Sequence, residues 1–168
     1  ATFDRAGFIE EAVRRLVQLR TEHGVRSFVD PCPIELGRDV EVMKEISEKS
    51  GMHIICTTGF YFEDMGLPVY WRARTTEEIA ELYIREITHG IGETGIKAGA
   101  IKVATGAPVV TAFEKKFLAA AFLAQKATRA ERARASLMQT RSGQLVLRVD
   151  VMAPDAAYEV RFKKKAGR

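Results

Sequence analysis

The chain has 168 residues, enough for one domain with its own core, and its 46% hydrophobic and 29% charged residues are the proportions of an ordinary globular protein. The net charge of +4 is uneven, since residues 129–168 carry +6 and residues 1–128 carry −2, so the basic excess reads first as a solvated tail, with contact to nucleic acid or an anionic surface as the minor alternative. No apolar run reaches membrane length, no charged-then-apolar leader opens the sequence, and Cys32 and Cys56 lack a partner motif, which points to a cytoplasmic protein with reduced thiols and no membrane span.

Residues 8–20 place Ile9, Val13, Leu16 and Val17 at helical spacing between Glu and Arg, which predicts a helix with one buried stripe ending near His23-Gly24. Residues 25–29 read as a strand closed by Asp30-Pro31, and 40–50 as a second helix with Val42, Met43 and Ile46 inward and Gly51 as its stop. Asp30 fits a local turn, while Arg38 and Asp39 fit a loop brace and a helix cap. Residues 52–57 form the next strand, followed by a long loop carrying Tyr61, Tyr70 and Trp71. Thr75-Thr-Glu-Glu78 has the form of a capping box opening a third helix with Ile79, Leu82, Tyr83 and Ile87 on one face.

The next apolar run, Ile101-Lys-Val-Ala-Thr105, reads as a short buried strand between Gly99 and Gly106 with Lys102 inside it. Burial disfavours an ammonium. An amine at a strand end therefore suggests Schiff-base chemistry, or capture of carbon dioxide as a carbamate that bridges two metals, against the plain alternative of a stem that packs while its head reaches water. Thr111-Ala-Phe-Glu114 is a second capping box before a helix carrying Phe113, Phe117, Leu118 and Ala121. Beyond it, residues 129–136 suit a short polar helix. Leu145, Leu147, Val149 and Val151, then Tyr158, Val160 and Phe162, alternate as the two strands of a β-hairpin around Pro154-Asp155.

A helix followed by three strand-helix pairs implies a parallel sheet with right-handed crossovers, either doubly wound or closed into a barrel. No glycine fingerprint of a nucleotide-binding sheet follows any strand. In both layouts function collects at the C-terminal strand ends, where Asp30, Tyr61 and Lys102 fall. The histidines do not form a set: His53 reads as a core or interlayer residue, and His23 and His89 as surface residues at helix ends.

Gly37-Arg-Asp39, Thr58-Gly59 followed by aromatics, the run Ile84-Arg-Glu-Ile-Thr-His-Gly-Ile-Gly-Glu-Thr-Gly-Ile-Lys-Ala-Gly99 and Ile101-Lys-Val-Ala-Thr105 together resemble the phosphotriesterase family of the amidohydrolase superfamily, over about residues 8–128. The resemblance implies an α/β fold, here a partial (β/α)8 TIM barrel of about strands 2–4 with their helices, and a separate segment 129–168. It further implies hydrolysis of organophosphate triesters or lactones at two divalent metal ions, usually zinc, bridged by a carbamylated lysine. Lys102 aligns with that lysine, and Tyr61 with an aromatic position lining the substrate pocket.

The same resemblance places the family's His-x-His pair before residue 8 and its later histidine and aspartate ligands after residue 128, outside the matching stretch. Because such barrels need roughly 250 residues to close, the matching segment is expected to expose two sheet edges, a surface on which copies of the chain could associate as a homo-oligomer. Three functions are weighed: a phosphotriesterase-type hydrolase, a non-catalytic fragment or interaction module, and a Schiff-base lyase acting through Lys102.

Overall fold

The computed structural model describes residues 3–106 and 108–128 in full and, for their backbone, residues 133–139, 145–153 and 156–159. The chain divides into two compact units, Ala1–Ala124 and Gln125–Arg168.

The first unit opens with α1 (Arg5–His23), which runs three residues beyond the expected 8–20 at each end. Asp4 caps the first turn by accepting the Gly7 N–H, and Gly24 ends the helix in the left-handed conformation. The parallel strands β1 (Ser27–Val29) and β2 (His53–Ile55) pair in register from Ser27 opposite His53, with α2 (Val40–Ser50) as the crossover between them. Asp39 caps α2 through the Val42 N–H, as its position before the helix suggests.

The strand expected over 52–57 is split in two. After Cys56 the chain continues as β3 (Thr57–Gly59), which pairs in parallel with β4 (Ala100–Lys102) on the other side, Gly59 opposite Lys102. The stretch 53–59 therefore uses its first half against one neighbour and its second half against the next, the stagger that tilted strands show in a barrel. Between β3 and β4 lie the four-residue helix α3 (Val69–Arg72) and the long α4 (Thr76–Thr88), and α5 (Ala112–Thr128) follows β4. Both capping boxes form: Thr75 and Glu78 exchange bonds at the start of α4, and Thr111 and Glu114 at the start of α5. Parallel strands alternating with helices are the repeating unit of a (β/α)8 barrel.

The main core lies between the end of β3 and the faces of α4 and α5. Phe60 sits at its centre, with Phe117 edge-on at 5.1 Å, Trp71 at 5.7 Å and Tyr83 at 6.1 Å between ring centroids. On α5 the buried stripe is Phe117, Ala120 and Ala124. Phe113 and Leu118, which the helix also carries, are exposed, and the inward place in the first turn belongs to Glu114. Smaller clusters join α1 to α2 through Ile9, Val42 and Ile46, and α2 to the loop before β4 through Val40, Ile91 and Ala98. No helix among the described residues is long and apolar enough to cross a membrane.

Three further expectations change. His53 is exposed and not a core histidine, standing at the first position of β2. Lys102 and its strand are half-buried and not fully buried, since β4 has one ladder partner, β3, among the described residues. In the second unit residues 133–136 belong to a strand and not to a polar helix.

That second unit is a three-stranded antiparallel sheet of β5 (Ala133–Gln139), β6 (Leu145–Ala153) and β7 (Ala156–Glu159). Seven consecutive pairs join β5 to β6, so a long ladder overrides the weak strand preference of alanine. The expected hairpin exists as β6 and β7, with Tyr158 opposite Val149 and an irregularity before Ala153. The turn at 154–155, the helix expectation at 129–132 and the strand positions Val160 and Phe162 lie outside the described residues.

Candidate active site

Side chains alternate across a strand, so one contact fixes the direction of the next. Ile101 packs against the helix-facing core, which sends Lys102 to the opposite face of β4, away from α4 and α5. Its Nζ lies 4.6 Å from the centroid of the Tyr61 ring, and among the described residues it makes no hydrogen bond or ion pair. The two residues singled out from the sequence are thus brought together at adjacent C-terminal strand ends. Close approach of the backbones makes this possible: Gly59 has φ +114°, and a Cβ there would stand 1.9 Å from the Lys102 carbonyl oxygen. The Phe60 N–H donates to that same oxygen at 3.1 Å.

The other candidates have local duties. Asp30 accepts the Cys32 N–H at 2.8 Å, an Asx turn. Tyr70 is exposed beneath the Arg74 guanidinium, 4.3 Å from its ring, and Trp71 packs on Phe60. His23 and His89 are exposed, as expected for surface residues. Burial, and next the charge of Asp30, push the Cys32 thiol up; burial does the same for Cys56, so both are poor nucleophiles.

Beneath the strand ends lies a set of buried ionic groups in which Arg38 is the loop brace expected from the sequence, while its partner Glu86 was not foreseen. Arg38 and Glu86, both nearly inaccessible, form a two-pronged ion pair at 2.7 and 2.8 Å, and Arg38 also donates to the Thr57 carbonyl at 2.8 Å. The loop after β1 is thereby tied to α4 and to β3. Glu86 has no sequence signal beyond its place inside a resembling stretch, and no pattern pairs residues 48 positions apart.

Glu35 accepts the Tyr61 N–H through Oε1, while its Oε2 is buried without a hydrogen-bond partner among the described residues. The Tyr83 hydroxyl is orphaned in the same sense. Burial chiefly, and then the charges of Glu35 and Glu86, push its phenol well above the usual tyrosine range. Glu114, 2% exposed, accepts backbone N–H groups from Thr111 at 3.0 Å, Gly106 at 2.9 Å and Glu63 at 3.2 Å. These donors, Thr111 first, hold its carboxyl below the ordinary value although burial acts the other way.

The Lys102 amine, at a strand end and facing away from the helices, has one lone pair to offer a metal ion. No group of three or more His, Cys, Asp or Glu side chains able to hold a metal occurs among the described residues. They fit one ligand position and not a complete metal shell.

The model of the phosphotriesterase family matches residues 4–149. The chain is 36% identical over 113 residues to an aryldialkylphosphatase of Saccharolobus solfataricus, covering 67% of this chain and 36% of that protein. It is 35% identical over 115 residues to an N-acetyltaurine hydrolase of Rattus norvegicus, covering 68% and 33%. Among solved structures, a doubly substituted organophosphorus hydrolase from Deinococcus radiodurans superposes with a TM-score of 0.69 at 34% identity, over 74% of this chain and 38% of the other. The chain thus spans about a third of the length of the relatives it matches, as a segment of a (β/α)8 barrel.

Proposed function

The chain belongs to the phosphotriesterase family, a family of metal-dependent hydrolases, and from that premise we propose that it supplies Lys102 and Tyr61 to a phosphotriesterase-type site hydrolysing organophosphate triesters or lactones. In this reading Lys102, as a carbamate, would be one ligand of a pair of divalent ions, zinc by family habit, with the remaining ligands supplied from other strands of the barrel. Such a metal pair supplies an activated water and polarises the ester oxygen. The chain's own contribution is to hold the Lys102 stem in β4 with its amine on the face turned away from the helices, and to set the Tyr61 ring beside it as an apolar wall. Residues 1–128 are read as the barrel portion and 129–168 as a separate basic segment, with cytoplasmic location and self-association through open sheet edges as parts of the same proposal.

The observation that carries this reading is the Lys102 amine at a strand end beside the Tyr61 ring, with no hydrogen bond or ion pair among the described residues, in a chain with this family match. To test it, the protein is equilibrated with zinc and bicarbonate, and bound metal is measured together with hydrolysis of an aryl phosphotriester, a lactone and, because of the taurine-acting relative, an N-acyl taurine. Metal uptake and hydrolysis that are both lost in Lys102→Ala support the proposal; wild-type behaviour in that variant overturns it. Absence of metal and hydrolysis favours the interaction module. Borohydride trapping of a carbonyl compound on Lys102 in metal-free buffer favours the lyase.

A further inference from the structure

Tyr61 is followed by Phe62 and Glu63, and both ends of this short segment are gripped by carboxylates from other parts of the chain. Glu35, from the loop after β1, accepts the Tyr61 N–H, and Glu114, from the first turn of α5, accepts the Glu63 N–H at 3.2 Å. Glu114 also accepts the Gly106 N–H at 2.9 Å, four residues beyond Lys102. One carboxylate thus ties the loop carrying Tyr61 to the loop leaving the lysine strand, and the other fixes Tyr61 from the opposite side.

Stability alone does not account for Glu35. Half of its carboxylate is buried without a partner among the described residues, which is costly, and an apolar side chain would avoid that cost. What the carboxylate provides instead is a strong acceptor for the Tyr61 N–H, since hydrogen bonds to ionised groups are the stronger kind.

We propose that Glu35 and Glu114 are positioning residues, a two-carboxylate clamp on the 61–63 backbone that sets the Tyr61 ring against Lys102. The proposal rests on the reading of Tyr61 and Lys102 as site residues, but its test needs neither metal nor turnover. A side chain above an aromatic face has its protons shifted upfield by the ring, so the Lys102 ε-methylene reports the placement of Tyr61. The protein is labelled with 13C-lysine in metal-free, bicarbonate-free buffer, and the Lys102 signal is identified by its absence in Lys102→Arg. Tyr61→Leu abolishes the upfield shift. Glu35→Asp, whose carboxylate is drawn back by one methylene, is expected to lose most of it, Glu114→Gln to lose part, and Glu35→Gln, which keeps a carbonyl acceptor, to retain it.

Trp71, the single tryptophan, reports core packing on Phe60, and its emission is expected to stay unchanged in Glu35→Asp. An undiminished Lys102 shift in Glu35→Asp overturns the proposal, as does a loss matched by a changed Trp71 emission. Should Glu35→Asp fail to fold, amide exchange in the wild-type protein decides: a slowly exchanging Tyr61 N–H supports the clamp, and one as fast as the exposed loop amides refutes it. A protein that binds no metal yet keeps the shift fails the hydrolase reading and leaves the clamp standing.

Discussion

On the outer face of α1 and α2, Glu11 meets Arg14 and Arg15 at 2.7 Å, and Glu45 meets Arg5 at 2.8 Å and Lys49 at 2.6 Å. Beneath the strand ends, Arg38 meets Glu86 at the same 2.7 Å. Distance does not separate these regions; solvent does. The outer pairs stand in water, where attraction is screened and ordering two long side chains costs entropy. Arg38 and Glu86 are 6% and 8% exposed, so removing either leaves a charge with no water to replace its partner.

The largest effect should come from Arg38→Met, with a loss of about 3–5 kcal/mol in unfolding free energy by denaturant titration, because Glu86 is left buried and uncompensated. The double variant Arg38→Met with Glu86→Leu should recover much of that loss; a double variant as unstable as the single one would show that the hold on the Thr57 carbonyl matters more than the pair.

Glu114→Gln should act mainly through pH. The folded value of Glu114 lies below its unfolded value of about 4.3, so the unfolded chain takes up the proton first. The stability it contributes is complete above the unfolded value and is lost as pH falls through the lowered folded one. Thermal melts of Glu114→Gln across this acid range should show a flatter decline than the wild type. Thr75→Ala, which removes one half of the α4 capping box, should cost about 1 kcal/mol. Glu11→Gln should leave the melting temperature unchanged, even though Arg14 and then Arg15 hold the Glu11 carboxyl down to about 2, because the group is in open water.

The fold was legible where the signal is local. Asp39, Thr75 and Thr111 cap the helices they precede, and the alternation of strand and helix gave the parallel pairing, while the choice of a barrel came from the resembling stretches. What local pattern cannot carry is partnership over distance. The 53–59 stretch divides at Cys56 because each half has a different neighbour, and residues 133–139 become a strand because Leu145–Ala153 pairs with them. Of the proposed site, Lys102 and Tyr61 were singled out from the resembling stretches, and the structure places them side by side. Arg38 was readable as a loop brace and Glu114 as part of a capping box, but the Glu86 side chain and the distant backbone N–H groups they also serve were not, and Glu35 gave no signal at all.

The central claim is that Lys102 occupies the metal-bridging position, and bound metal is its most direct test. Elemental analysis after equilibration with zinc and 13C-bicarbonate, read beside the carbon spectrum, should show metal and a carbamate signal in the wild type, both absent in Lys102→Ala. Metal bound equally by both proteins, with no carbamate in either, would contradict the account.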